Sequence, residues 1–145
     1  MTDLRQETEL GVLLFIASRE LERRAYDAVA AAGYANITLA QVRLASRIGP
    51  DGTRLVDLAA QARVTKQTAS FLVEQLARAG YVERIPDPAD GRARLVRLTA
   101  RAAPVVRIAD AEVGRALADW GAHVGADRLA QVLATLRDLR PVIDP

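Results

Sequence analysis

Apolar residues in the first part of the chain recur at three- and four-residue steps: Leu10, Leu13, Leu14, Ala17, Leu21, Ala25, Ala28 and Val29. That spacing marks one face of an amphipathic helix from about Asp3 to Ala32, which Gly33 ends. Phe15 and Ile16 widen the stripe beyond a narrow seam, so the helix is expected to touch more than its own domain. A shorter helix is predicted over residues 38–48, with Thr38 as its cap and "GPDGT" as its stop. Thr53 is then expected to cap a third helix, "RLVDLAAQA", in which Leu55, Leu58, Ala59 and Ala62 share a face.

Only three or four residues separate this helix from the next, "KQTASFLVEQLARAG". Here Thr65 is the predicted cap, Ala69, Leu72, Val73 and Leu76 form the inward face, and Gly80 closes the C-terminus. Two helices on so short a turn make a helix-turn-helix, and Ala59 is the small residue their close crossing needs. The pattern then changes period. "YVERI" and "RLVRLT" are β-rich and separated by residues 86–93, with Asp90-Gly91 as a hairpin turn signal and the prolines placed outside the paired region.

Beyond Thr99, a candidate cap, Val105, Val106, Ala109, Val113, Leu117 and Trp120 extend a helical stripe to about Val124. Pro104 requires either a kink or a later start to the regular helix. A last helix is predicted over residues 127–140, carrying Leu129, Val132, Leu133, Leu136 and Leu139, with Pro141 as its stop. The fold class that follows is mainly α with a small β-hairpin wing, a winged helix-turn-helix. Its DNA-binding lobe is expected over residues 38–99, and residues 1–32 with 100–145 form a helical dimerisation region of the same single domain. The terminal helices carry more apolar surface than so small a lobe could cover, so a homodimer is the expected outlet.

Composition narrows the function. Half of the 145 residues are hydrophobic, yet no run reaches the roughly 20 apolar residues of a membrane span. The N-terminal "MTDLRQETEL" lacks the order of a secretory signal, and a soluble, cytoplasmic protein without membrane association is expected. With no cysteine, thiolate nucleophiles, thiol switches and thiolate metal sites are excluded. His123 is the sole histidine, and no Gly-x-Ser-x-Gly elbow, histidine pair or phosphate loop is present. We therefore expect no enzyme, no catalytic residue, no metal and no cofactor. The net charge of +2 is unevenly placed: residues 54–101 hold nine Lys or Arg against five Asp or Glu, or +4, leaving 11 against 13, or −2, elsewhere. The predicted lobe is its basic part.

On the second helix of the motif, removing the inward face leaves Lys66, Gln67, Thr68, Ser70 and Phe71 pointing outward beside the cap Thr65. Glutamine can bond adenine twice, Thr and Ser donate or accept, an aromatic edge suits thymine, and Lys66 suits a phosphate. In the wing, an arginine at the tip, Arg92, suits a narrow minor groove, with Arg94, Arg97 and Arg84 on the strands for phosphates. Asp90, two residues earlier, is expected to bond the Arg92 guanidinium and orient it. The competing use of such a domain is a protein-interaction module without DNA binding.

"RLVDLAAQARVTKQTASFLVEQLARAGYVER" followed by "DPADGRARLVRLT" resembles the MarR family of bacterial winged-helix transcription regulators, and the resemblance extends over nearly the whole chain. Its most specific element is the family's Asp-x-Arg pattern, here Asp90-Gly91-Arg92, with the "LT" that opens the next helix. The resemblance implies that Arg92 enters the minor groove, Asp90 buttresses it, and residues 65–70 begin the recognition helix. It also implies a homodimer straddling a pseudo-palindromic operator on double-stranded DNA, as a repressor released by a small aromatic or phenolic effector. Phe15, Tyr34 and Trp120 are candidates to line the effector site. Phe71 departs from the family pattern, which places a polar or basic residue, or proline, at that point.

Overall fold

The computed structural model describes residues 4–144. They form two compact units, one from residues 33–107 and the other from the flanking segments 4–32 and 108–143. In the flanking unit, helix α1 (Leu4–Val29) runs into a wide turn, Ala30–Tyr34, where Gly33 takes φ +103°. The expected start at Asp3 lies outside the described residues. Helix α5 (Ala103–Val124) and helix α6 (Ala126–Ile143) follow later in the chain.

Burial in this unit is sparse. Ala25 and Val29 of α1 and Ala116 of α5 are its buried apolar residues, whereas Leu10, Leu13, Leu14, Phe15 and Ile16 are exposed. Much of what joins α1 to α5 is ionic. The Arg24 guanidinium donates to Glu112 at 2.8 Å and to Asp119 at 3.1 Å, and Glu112 also accepts from Arg115 at 2.7 Å. These arginines hold the Glu112 carboxyl below its ordinary pKa, Arg115 first and Arg24 second.

The lobe starts with helix α2 (Leu39–Ala45), three residues shorter than its apolar pattern suggested. Thr38 caps it in a reciprocal box: its side chain accepts the Gln41 N–H, and the Gln41 side chain accepts the Thr38 N–H. A short strand, β1 (Thr53–Arg54), precedes helix α3 (Leu55–Ala62). Thr53 is therefore not a cap. Its hydroxyl oxygen is taken by the Gly49 N–H at 2.9 Å, and Arg54 occupies the cap position without capping the helix through its side chain. Gly52, at φ +94°, lies so close to the sheet that a Cβ there would meet the Leu95 Cβ at 3.0 Å, so the turn before β1 packs tightly on the strand it joins.

Helix α4 (Lys66–Arg78) follows, then strands β2 (Val82–Asp87) and β3 (Asp90–Leu98). The sheet is antiparallel with β3 in the centre, β1 on one side and β2 on the other. The hairpin turn is Pro88-Ala89, not Asp90-Gly91, and Pro86 lies inside the paired region opposite Arg94. β2 is an edge strand, where a proline removes no needed ladder bond, and a register shift between Pro86 and Asp87 moves the turn two residues earlier.

The core of the lobe is Ile37, Leu44, Leu58, Ala59, Ala69, Leu72, Val73, Leu76, Tyr81, Val82, Val96 and Ala102. The predicted inward face of α4 is all present, and Ala59 is 5 % exposed where α3 packs against α4. After β3, a single tight turn, Ala100–Ala102, precedes α5, so Pro104 falls in the first helical turn, where its missing N–H has no partner to lose. Thr99 makes no cap bond, because its hydroxyl donates to the Gly80 carbonyl instead. Pro141 does not end α6, which runs two residues past it. Its φ is helical, and in a final turn it forfeits only one backbone bond.

Candidate nucleic-acid interface

Three residues, Arg63, Val64 and Thr65, join α3 to α4, and the turn depends on an unusual conformation. Arg63 sits at φ 54°, ψ 45°, the sole non-glycine with positive φ among the described residues. With it in place, the Val64 N–H reaches the Ala59 carbonyl at 3.0 Å and the Arg63 N–H reaches Ala60 at 3.2 Å. That is a Schellman closure with arginine where glycine is usual. Thr65 then caps α4: its hydroxyl oxygen accepts the Thr68 N–H at 3.0 Å and donates to the Thr68 hydroxyl at 2.9 Å.

Beyond this cap, Lys66, Gln67 and Thr68 are exposed, Ser70 is half-buried on the flank, and Phe71 is 60 % exposed. α4 ends as firmly as it begins. Gly80, at φ +84°, lets the Tyr81 N–H reach the Leu76 carbonyl at 2.9 Å and its own N–H reach Ala77 at 3.0 Å. Tyr81 is buried with the Arg101 guanidinium 5.5 Å from its ring centre, and the Thr99 N–H donates to the Tyr81 carbonyl. The root of the hairpin is thus bonded directly to the end of α4.

The outer end of the hairpin is held by a residue that the sequence reading passed over. Asp87 is the one buried charged side chain among the described residues, at 8 % exposure. One carboxylate oxygen accepts the Ala89 N–H at 2.9 Å across the turn, and the other accepts two Arg54 nitrogens at 2.8 and 2.6 Å. The Ala89 amide and then the Arg54 guanidinium hold the Asp87 carboxyl below its ordinary value. This clamp ties the wing turn to the strand that enters the helix-turn-helix. Asp-Pro before a turn was its sequence signal, but Arg54, 33 residues away, carried none.

Asp90 makes a different bond from the one anticipated. It accepts the Arg92 backbone N–H at 3.1 Å, so it shapes the backbone under Arg92 and does not grip the guanidinium. Arg92 is the third residue of β3, not a loop residue, and both it and Arg94 are exposed. Arg97, expected to serve a phosphate, is instead neutralised by Glu83 across the hairpin. By contrast, Arg63, Lys66, Arg84, Arg92 and Arg94 have no carboxylate partner among the described residues, so the lobe keeps a set of unneutralised cations at its helical turn and on its wing.

The three aromatic candidates for an effector site have different surroundings. Phe15 is exposed with the Arg19 guanidinium 5.0 Å from its ring centre, while Tyr34 and Trp120 are half-buried. A shallow recess on α1 is lined by Arg5, Thr8, Glu9, Val12 and Leu13, none of them a candidate. Among the described residues there is no cluster of His, Cys, Asp or Glu able to hold a metal and no helix long and apolar enough to cross a membrane.

A helix-turn-helix whose second helix is capped outward and whose hairpin projects exposed arginines defines a winged-helix domain. Residues 35–93 match the model of the MarR family. The fold agrees: a mutant MarR from E. coli complexed with operator DNA is 26 % identical, with a TM-score of 0.66 over 95 % of this chain and 99 % of that one. RV1404 from Mycobacterium tuberculosis is 25 % identical, with a TM-score of 0.67 over 95 % of each chain. CouR from Rhodococcus jostii, bound to p-coumaroyl-CoA, shares the fold at 20 % identity, with a TM-score of 0.68 over 90 % of each chain. No curated protein sequence matches significantly. The chain thus resembles the MarR family over residues 35–93 and has the fold of that family's solved transcriptional regulators.

Proposed function

We propose that the protein is a sequence-specific transcriptional regulator, a repressor that binds a pseudo-palindromic operator in double-stranded DNA as a homodimer. The observation that carries this reading is the outward face of α4. Its first two turns present Lys66, Gln67, Thr68 and Phe71 to solvent, with Arg92 and Arg94 exposed on the wing of the same lobe. The N-terminal part of a recognition helix is where a helix-turn-helix touches bases, and an arginine on a projecting hairpin suits the negative potential of a narrow minor groove. The E. coli relative complexed with operator DNA supports the reading.

The homodimer draws support from the uncovered apolar residues of α1 and α6, from Leu10 to Ile16 and from Val132 to Ile143. In such a dimer two recognition helices sit about one turn of DNA apart, roughly 34 Å. A small aromatic effector releases the complex by preferring a lobe spacing that no longer fits two major grooves. The p-coumaroyl-CoA held by CouR is the chemistry to screen first.

The test is fluorescence anisotropy on DNA from upstream of the protein's own gene, with wild type and Arg92→Ala at two salt concentrations. Tight, salt-sensitive binding that Arg92→Ala weakens without loss of helix content or dimer supports the reading, since each phosphate neutralised adds to the salt slope. A flat salt response, or no preference over random DNA from any selection pool, overturns it in favour of a protein-interaction module.

A further inference from the structure

α4 carries an exposed aromatic side chain among polar neighbours on its own helix. With about 3.6 residues per turn, Gln67 and Phe71 lie on one line, opposite the face made by Ala69, Leu72, Val73 and Leu76. The helical neighbours of Phe71 at three- and four-residue spacing are Gln67, Thr68, Glu74 and Gln75, all polar, and the ring stays 60 % exposed. Phenylalanine has no hydrogen-bonding atom, so it cannot read the polar groups of a base edge. One apolar group is displayed in the major groove, the C5-methyl of thymine. Gln67, one turn closer to the helix start, has the paired donor and acceptor that match adenine N7 and N6.

We infer that Gln67 and Phe71 together read a short A·T element of each half-site, Gln67 bonding an adenine and Phe71 covering a thymine methyl. This rests on the DNA-binding reading above. Four residues of helix rise about 6 Å and successive bases on one strand are separated by about 3.4 Å, so the two contacted pairs are one or two steps apart. The occupant is nucleic acid and not a hydrophobic protein surface, because Phe71 is a solitary apolar residue on that line and the nearby cations Arg63 and Lys66 are unneutralised. Glu74, next along the line, is engaged by Arg78.

The experiment starts from duplexes selected out of a random pool by the wild-type protein. Thymines are replaced singly by deoxyuridine, which lacks the methyl, and adenines by 7-deazaadenine, which lacks N7. At one thymine per half-site, deoxyuridine should weaken wild-type binding about fourfold, the worth of one buried methyl group. Phe71→Ala should be indifferent to that change. One or two pairs away, 7-deazaadenine should weaken wild type and leave Gln67→Ala unchanged. Thermal unfolding of Phe71→Ala should stay close to wild type, since the ring is 60 % exposed and lies opposite the buried face of α4.

Wild-type indifference to every deoxyuridine, or an equal penalty in wild type and Phe71→Ala, overturns the inference while leaving DNA binding intact. Failure of the selection to enrich any sequence overturns the DNA-binding reading itself, and this inference with it.

Discussion

The lobe and the flanking helices divide the apolar residues in opposite ways. Of the fifteen buried apolar residues among those described, twelve lie within residues 33–107 and three, Ala25, Val29 and Ala116, in the flanking unit. Of the fifteen large hydrophobic residues left exposed among those described, three, Val56, Phe71 and Val106, lie in the lobe and twelve in the flanking unit. The lobe has its own core. The flanking helices have an apolar surface and little that covers it, and what does join α1 to α5 includes the Arg24, Glu112 and Asp119 ion pairs. An apolar surface of that extent is the mark of an association face, so stability in one unit should be a property of the chain and in the other a property of its concentration.

The largest effect expected from this contrast follows a charge placed on that surface. Leu13 is 54 % exposed, and Leu13→Glu should convert the proposed dimer to monomer, weakening association by about a hundredfold or more, because an unpaired carboxylate would be buried at that interface. Sedimentation equilibrium reads the change. An unaltered dimer would break the comparison by showing that the exposed face of α1 is not the association surface. Next in size is a cavity in the lobe. Leu58 is fully buried, and Leu58→Ala should cost about 2–5 kcal/mol of unfolding free energy. Urea unfolding at two protein concentrations sharpens the contrast: the Leu58→Ala loss should be the same at both, and the Leu13→Glu loss should not.

What the sequence disclosed follows from how local each feature is. The helical face of α4, its Thr65 cap and its Gly80 stop are set by residues within one turn of each other, and all three were legible. The hairpin was legible as an element but misplaced in its turn. Asp90-Gly91 is a strong local signal, yet Asp87 captures both the Ala89 N–H and Arg54, and this closes the chain two residues earlier. Strand β1 went unread because two residues have no period, and Thr53 looked like a cap until the Gly49 N–H occupied its oxygen. The stop expected at Pro141 failed for the converse reason: a local rule was applied where the backbone bond at stake was nearly the last in the chain.

The Asp87 clamp offers a smaller and more local test within the lobe. Its carboxyl is held below the ordinary value of 3.8 by the Ala89 amide and Arg54, so a folded pKa lies below the unfolded one. The contribution of the clamp is therefore complete above the ordinary carboxylate value and is lost as pH falls through the lowered one. An NMR titration should find the Ala89 amide shift constant from neutrality down to about pH 4, the ordinary range for aspartate, and moving only below it. In Asp87→Asn the acid-dependent step should vanish. A transition centred at or above the ordinary value would mean that the clamp is open in solution, and that the wing is not fixed to the strand leading into α3.

The smallest effect concerns the turn between α3 and α4, and its sign is the informative part. Arg63 is exposed, has no carboxylate partner among the described residues, and holds φ 54°. An L-residue pays about 1 kcal/mol to adopt that conformation, while glycine adopts it freely but loses more entropy on folding. Arg63→Gly should therefore leave stability unchanged or raise it, by no more than about 1 kcal/mol. If arginine is kept there in spite of the strain, its charge has a use outside the folding of the lobe, and a DNA phosphate is the obvious partner. The same substitution should then weaken DNA binding modestly and lower the slope of its salt dependence by about one. Stability gained with affinity lost would mark Arg63 as strain retained for binding. Stability lost would mean instead that the arginine side chain supports the turn itself.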